Sequence, residues 1–307
     1  MKSEAFEKFF FRPIDPFREK CFQSMSEKDS LELIQNYHQE MKLGYQSLAQ
    51  KKIIVTGLIY NAQQQIPHLQ KWFETLKTHC KECHIVIVEN NSIDFTRQAC
   101  EAWKMMDPYH VHLVCNERFC DRKFDIVDNK GPDAERIQKM AFLRNLYVEY
   151  ISSTFSVDFD HVFVMDFDLQ GTLFWDGIFH TMYHFETKKN IDAIACNGIV
   201  AGTLLYYDSF AYARDPGELR WTNRMDKYNH DEDVLRYIAN EYQSSQELDK
   251  VSSAFGGFCV YKFSSFCQSK YGFERNKFTC EHCIFHEKFK NMFVNPNMVF
   301  YIEKNIT

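Results

Sequence analysis

The stretch Val162-Phe163-Val164-Met165-Asp166-Phe167-Asp168 decides the fold of this chain. Four apolar residues in succession predict a strand buried on both faces, as in a parallel sheet covered by helices. Alternate residues of a strand point the same way, so Asp166 and Asp168 project together while Phe167 faces the core. Two carboxylates at the end of a buried strand repel each other and lose hydration. The pair therefore predicts a divalent cation as its partner, because such ions prefer oxygen ligands.

The composition is that of a globular protein. The 307 residues include 29 Phe and 16 Tyr, and hydrophobic residues make up 45% of the chain. This is ample material for a core. The formal net charge of -6 argues against nucleic acid as a main partner, because there is no large basic excess to meet phosphates.

The sequence contains no feature of a membrane or secreted protein. It has no apolar run of about 18 residues, so we expect no transmembrane segment. The segment from Met1 to Arg12 mixes charges with Phe and lacks the apolar stretch of a secretory signal. We therefore expect a cytoplasmic protein with its 11 cysteines as reduced thiols. The lack of an anchor suggests a bacterial or viral origin, or a trimmed chain.

Strands and helices alternate from Lys52 onwards. This order predicts an α/β fold with a doubly wound, mostly parallel sheet flanked by helices. Before it, apolar residues recur at helical spacing, which predicts a helical N-terminal extension. The predicted domains are the extension, residues 1–50, and a single α/β domain, residues 51–307. The predicted strands include residues 53–59, 84–88 and 111–115, and a helix at residues 134–150 precedes the aspartate strand.

Polar clusters follow three of the predicted strands. Asn61 comes after the first, Glu89 and Asn91 after the second, and Asp166 and Asp168 after the fourth. Ligands of open α/β sheets bind beyond the carboxyl ends of the strands. We therefore expect these side chains to line one crevice.

These motifs in this order resemble the GT-A superfamily of nucleotide-sugar glycosyltransferases. Residues 55–61 resemble its opening strand and Tyr-Asn loop, and residues 87–96 resemble its acidic turn, which holds the base and ribose. Leu143-Arg144-Asn145 is similar to the Ala-Arg-Asn helix of the family. Asp166-Phe167-Asp168 matches its Asp-x-Asp motif, and Gly256-Gly257 resembles its glycine-rich acceptor-side loop.

The resemblance implies a GT-A-like fold and a nucleotide-diphosphate sugar as donor, with a UDP- or GDP-sugar favoured. The residues that it assigns to the donor are Thr56, Asn61, Glu89, Asn91, Arg144, Asp166 and Gly257.

The resemblance also implies a metal cofactor, Mn²⁺ or Mg²⁺. Asp168 would hold it together with Asp166, unless Asp166 contacts the ribose instead. His286 would be a C-terminal ligand and would favour Mn²⁺, since imidazole suits softer ions than Mg²⁺. Arg144 would offset the remaining charge of the diphosphate.

Two carboxylates are candidates for the catalytic base. An inverting enzyme needs a base for the proton of the acceptor hydroxyl, whereas a retaining enzyme does not. Glu281, where the superfamily carries its acidic catalytic motif, is the first candidate. Asp233 in Asp231-Glu232-Asp233 is the second. In a retaining enzyme, Glu281 would only orient a substrate.

Each assignment has a purely structural alternative. Asp166 and Asp168 would then cap the following turn, and Glu89 would be a turn residue among turn formers. Arg144 would belong to a solvated helical face. His286 would be a hydrogen-bonded core histidine.

The predicted function is metal-dependent transfer of a hexosyl or pentosyl group to an acceptor hydroxyl, on a glycan or another molecule. One alternative is a sugar nucleotidyltransferase, which would need a glycine-rich, basic loop where this chain has Leu58-Ile59-Tyr60-Asn61. The other is a non-catalytic module that binds a nucleotide sugar or a protein. The presence of Asp166, Asp168 and Glu281 together favours the enzyme.

Overall fold

The structure is a computed structural model that describes residues 26–115, 134–217, 247–273 and 279–303. Within these ranges the chain forms one sheet with helices on both faces. The strands are β1 (Lys52–Ile59), β2 (Glu82–Glu89), β3 (Val111–Cys115), β4 (His161–Met165), β5 (Gly171–Leu173), β6 (Ala193–Val200), β7 (Asp249–Val251), β8 (Phe258–Lys262) and β9 (Met292–Ile302). The helices are α1 (Glu27–Leu48), α2 (Ile66–His79), α3 (Thr96–Met106), α4 (Ala134–Thr154), α5 (Trp175–Thr187), α6 (Phe263–Cys267) and α7 (Glu281–His286).

The sheet has the strand order β3-β2-β1-β4-β8-β6-β9-β5, with β7 paired to β9. Strands β1 to β4 are mutually parallel and are joined by helices, which confirms the expected α/β fold. Strand β8 runs antiparallel between β4 and β6, so the C-terminal half of the sheet is mixed. The carboxyl ends of β1, β2 and β4 thus meet at one edge, where the polar clusters were expected.

Alternate residues of each central strand enter two separate cores, one on each face of the sheet. In β1, Ile54 and Leu58 pack with α4 residues, whereas Ile53 and Val55 pack with residues of α2, α3 and α5. A strand has a side-chain period of two, so a strand that is apolar throughout needs cover on both faces. The apolar runs therefore produce the doubly wound arrangement.

Strand β4 ends at Met165, and the two aspartates lie in the turn that follows. Phe167 is 3% exposed and belongs to the core, as expected. Two backbone bonds fix the turn: the Phe167 N–H donates to Leu58 O at 3.3 Å, and the Asp166 N–H donates to Gly257 O at 3.2 Å. Gly57 permits this approach, because a Cβ there would lie 2.0 Å from the Met165 carbonyl oxygen.

Helix α1 packs along α5. The Tyr37 hydroxyl donates to Asp176 at 2.9 Å, and Glu40 lies 3.1 Å from Nε2 of the buried His180. Gly44 lies so close to α5 that a Cβ would be 1.7 Å from a carbonyl oxygen of that helix. A helix before β1 was expected, and the boundary at residue 50 stays a prediction.

In the described part of the chain, none of the helices combines the length and the apolar character needed to cross a bilayer. No disulfide bond joins any of the nine cysteines in those residues.

Candidate active site

A cleft of about 360 Å³ opens at the carboxyl edge of the parallel strands, next to the β4 turn. Within the described residues, four carboxylates and two guanidinium groups line it. Carboxylates therefore outnumber fixed positive charges by two to one, and the cleft favours a cation. The charged residues are Asp166, Asp168, Asp208, Glu281, Arg136 and Arg144.

Arg144 joins two of the carboxylates. Its Nη2 donates to Asp166 at 3.2 Å and its Nε donates to Glu281 at 3.1 Å, although these partners are 22 and 137 residues away in the chain. The side chains of Arg144, Asp166 and Glu281 are only 4%, 17% and 9% exposed. Arg144 therefore acts as a clamp between β4 and α7. The expected role, neutralising the diphosphate, is not what its contacts provide.

The guanidinium group is supported from behind by aromatic side chains. Its carbon lies 5.3 Å from the ring centre of Phe255 and 5.8 Å from that of Tyr271, which are cation–π distances. Its Nη1 donates to the Tyr147 hydroxyl at 3.4 Å, and that hydroxyl donates to Tyr271 at 3.0 Å. The Asn145 side chain bonds both backbone groups of Tyr271, which fixes the loop to α4. The clamp is thus rigidly held.

Asp168 differs from Asp166 because no side chain neutralises it. Asp168 is exposed and lines the open cleft. The lost hydration, and then the charge of Asp166, raise the pKa of Asp168 to about 7. Burial also raises the pKa of Asp166, against the opposing effect of Arg144. A cation bound between the aspartates would relieve this repulsion.

The residues present fit a hard divalent cation, with Asp168 as the first ligand and Asp166 as the second. In the described ranges, no three His, Cys, Asp or Glu side chains are grouped to hold a metal by themselves. Oxygens from a bound substrate would therefore have to complete the shell, as is common for ions that bridge phosphates.

His286 lies in the core rather than in the cleft. It is fully buried, and Ser253 and Tyr261 each lie 2.8 Å from a ring nitrogen. Since the Ser253 hydroxyl donates to Ala211 O at 2.6 Å, it accepts from Nδ1–H, and Tyr261 then donates to Nε2. No lone pair is left for a metal, and burial, followed by the charge of Arg144, lowers the pKa of His286 to about 3. The role of His286 as a metal ligand therefore stays a prediction, and it would require one of these two hydrogen bonds to be replaced.

Thr56 also lies away from the cleft. It is completely buried in β1, and its hydroxyl donates to the carbonyl oxygen of Val86 on β2 at 2.9 Å. The expected donor contact of Thr56 stays a prediction, and nothing in its position favours it. Thr56 satisfies a hydrogen bond within the sheet instead.

The loops after β1 and β2 are tied to each other. Asn61 accepts from the Ile93 N–H at 2.9 Å, and its own N–H donates to Ser92 Oγ at 3.0 Å. Both Asn61 and Asn91 have left-handed backbones, with φ of 47° and 52°, a conformation that asparagine tolerates. The structure brings these loops together as expected, and the donor contacts of the two asparagines stay predictions.

Glu89 is fully buried at the end of β2. One oxygen accepts from the Ser92 N–H at 2.7 Å, and the other is buried with no hydrogen-bond partner among the described residues. Contact with a nucleoside stays a prediction, and it would require the turn to open. The unpaired oxygen would then gain a donor.

Gly257 holds the aspartate turn through its carbonyl oxygen and has a left-handed backbone, with φ of +90°. Its expected role at the donor stays a prediction. Asp233, the second candidate base, lies outside the described residues.

Asp208 is the cleft residue that sequence reasoning missed. It precedes a short 3₁₀ turn (Ser209–Ala211) and has φ of +60°, which is left-handed. Loss of hydration, followed by the charges of Asp166 and Glu281, raises the pKa of Asp208 well above its usual value. Its signal in the sequence is weak, since it is a single aspartate in a turn shortly after β6.

No protein-family model matches the sequence, and neither does any curated protein. Several solved structures do. A mannosyltransferase from Pyrobaculum calidifontis, solved with GDP-Man and Mn²⁺, is 12% identical over 90% of this chain and 68% of its own, with a TM-score of 0.45. S. aureus TarS residues 1–349, in complex with UDP-GlcNAc, is 14% identical over 83% of this chain and 59% of its own, with a TM-score of 0.45.

A third structure is glucosyl-3-phosphoglycerate synthase from Mycobacterium tuberculosis with Mn²⁺, UDP and phosphoglyceric acid. It is 12% identical over 73% of this chain and 60% of its own, with a TM-score of 0.37. The chain thus spans less than two thirds of TarS 1–349 and of this synthase. At TM-scores below 0.5 this likeness carries no conclusion about fold family, donor, acceptor or metal.

Proposed function

We propose that this protein transfers a sugar from a nucleotide-diphosphate sugar to an acceptor hydroxyl, with a divalent cation at Asp168 and Asp166. One observation carries the proposal. At the carboxyl edge of the parallel strands, the Asp166–Asp168 turn, the Arg144 clamp and Glu281 share one cleft. This is where open α/β sheets bind ligands.

The arrangement suits a reaction that releases a diphosphate. The bound cation would offset the negative charge that develops on this leaving group. Asp168 is open to the cleft for that role, while Arg144 keeps Asp166 in place. With only carboxylate ligands identified, Mg²⁺ and Mn²⁺ are both suitable.

The test is release of nucleoside diphosphate from UDP-, GDP- and CDP-sugars, with either cation or with EDTA. We expect release from at least one donor, its loss in EDTA, and its loss in Asp168→Asn. Asp158→Asn is the matched control, because Asp158 precedes the same strand at its opposite end and its side chain is 57% exposed. This control is expected to retain wild-type activity.

Two results would contradict the proposal. Formation of pyrophosphate from a sugar phosphate and a nucleoside triphosphate would identify a nucleotidyltransferase. Failure to bind any nucleotide, measured by thermal shift with each cation, would leave only a binding module for another ligand.

A further inference from the structure

The four carboxylates of the cleft fall into two pairs. Arg144 neutralises Asp166 and Glu281, at 3.2 and 3.1 Å. The remaining two, Asp168 and Asp208, have no hydrogen-bond or ion-pair partner among the described residues. A carboxylate that is to bind a cation or accept a proton needs lone pairs that are not already committed.

Glu281 is more committed, because each of its two oxygens already lies near a donor. One of its oxygens accepts from Arg144 Nε, and the other lies 3.6 Å from the Cys280 thiol, within reach of an S–H bond. Its side chain is 9% exposed. A proton on Glu281 would remove one negative charge from the clamp between β4 and α7 and so weaken its ion pair with Arg144. Its position is better suited to holding the walls of the cleft together.

Asp208 has the opposite properties. Its side chain is only half-buried, it lines the same cleft, and it makes no capping bond to the turn that follows. Its backbone is nevertheless fixed: the neighbouring Tyr207 N–H donates to Gly198 O at 2.9 Å, and the Ala211 N–H donates to Asp208 O at 3.1 Å.

The backbone at Asp208 is also strained. A left-handed backbone at a residue other than glycine, here with φ of +60°, is uncommon, and such conformations cluster at functional sites. Among the described residues, no hydrogen bond to its side chain explains this conformation. What the conformation does achieve is to present a free carboxylate to the cleft.

We propose that Asp208, rather than Glu281, contacts the acceptor hydroxyl and takes its proton during transfer. The assignment rests on the proposed function. The acceptor oxygen forms a bond to the anomeric carbon while the bond from that carbon to the diphosphate oxygen breaks. The hydroxyl proton passes to Asp208, and the electron pair of the broken bond leaves with the nucleoside diphosphate. Asp168 keeps its proposed role as a ligand of the cation. Asp208 is not assigned to the cation, because it does not form a three-ligand group with the two aspartates of the β4 turn.

The test compares Asp208→Asn with Glu281→Gln. Asparagine also tolerates the left-handed backbone, so Asp208→Asn removes the base without disturbing the turn. The probes are the donor sugars that the wild-type protein cleaves, with water or a panel of methyl glycosides as acceptor. We expect Asp208→Asn to lower kcat by roughly 10²–10⁴-fold, the usual contribution of a general base, with an unchanged KM for the donor.

The two variants are then separated by other measurements. Thermal shift with UDP or GDP is expected to be the same for Asp208→Asn and the wild type. Glu281→Gln is expected to unfold at a lower temperature and, while folded, to lose much less of its kcat than Asp208→Asn, because Glu281 holds the cleft rather than moving the proton. Sodium formate is expected to restore part of the rate to Asp208→Gly, since the small acid replaces the missing carboxylate.

Four outcomes would overturn the proposal. Asp208→Asn with wild-type kcat would do so, as would loss of kcat in folded Glu281→Gln with unchanged donor binding. A lost rate in Asp208→Gly that formate does not restore would assign Asp208 a role in the loop alone. A wild-type protein that releases nucleoside diphosphate from no donor would instead overturn the proposed function, and this assignment with it.

Discussion

Replacing Arg144 with methionine tests the clamp at the centre of the cleft. Methionine keeps most of the volume against Phe255 but leaves Asp166 and Glu281 without their positive partner. The two carboxylate side chains are 17% and 9% exposed, so water replaces little of the lost interaction. Removing one partner of a buried ion pair costs about 3–5 kcal/mol. Typical domains are stable by roughly 5–15 kcal/mol, so the variant is expected to fold with a much reduced margin.

The assay is urea-induced unfolding at pH 8 and at pH 5. Burial already raises the pKa of Asp166 in the folded protein above the ordinary value of 3.8, and loss of the guanidinium raises it further. The folded variant therefore takes up a proton at a pH at which the unfolded chain does not. This proton uptake stabilises the folded state as the pH falls. The loss in free energy of unfolding that Arg144→Met causes is therefore expected to be largest at pH 8 and smaller at pH 5.

Two further variants make the result specific. Arg136→Met removes an exposed arginine from the same helix and the same cleft, and is expected to change the free energy of unfolding by about 0.5 kcal/mol or less. Arg144→Lys keeps the charge, but an ammonium group lacks the fork that reaches both carboxylates, so it should recover only part of the loss. A cost of Arg144→Met below about 1 kcal/mol at pH 8, or one independent of pH, would refute the clamp.

Three other changes are predicted from the same contacts. Asp168→Asn should stabilise the protein at pH 8 in EDTA, because the folded pKa of about 7 exceeds the ordinary 3.8 and the ionised carboxylate opposes folding. The gain in unfolding temperature should vanish near pH 4, where Asp168 is no longer ionised in the folded protein. Equal melting curves at pH 8 would contradict this. Gly57→Ala should lower the free energy of unfolding in urea by roughly 1–3 kcal/mol, since its Cβ would lie 2.0 Å from a β4 carbonyl oxygen. Gly217→Ala is the control and should be neutral or slightly stabilising, because no described atom lies within 4 Å of its Cβ. Gly44→Ala should loosen the packing of α1 on α5, and the α1 amides should then exchange hydrogen faster. Unchanged protection of these amides would argue against this packing.

The aspartate strand was predictable because its signal is local. A run of apolar residues that ends in an acid-x-acid pair needs no distant partner to be recognised, and the structure confirms Phe167 in the core. The same holds for the alternation of strands with helices, which the parallel strands β1 to β4 confirm. Local periodicity decides whether a segment is a strand or a helix and which of its faces is apolar.

The partners of charged residues were not predictable, because they come from distant parts of the chain. Arg144 was expected at the diphosphate, and the structure pairs it with acids 22 and 137 residues away. His286 was expected at a metal, and Tyr261, 25 residues away, occupies its lone pair. Asp208 had no recognisable motif, because its place in the cleft depends on where the chain turns after β6.

The sequence by itself determined the type of sheet, the edge at which a ligand would bind, and the acidic pair at that edge. These follow from side-chain periodicity and the polarity of strand ends, which are properties of neighbouring residues. The tertiary structure alone decided which carboxylates are neutralised and which are free, because an ion pair or a buried hydrogen bond depends on the distance between residues far apart in the chain. The Asp166–Asp168 turn marks the site. Arg144 pairs with Asp166 and Glu281, which hold the cleft together, and leaves Asp168 and Asp208 for the proposed cation binding and proton transfer.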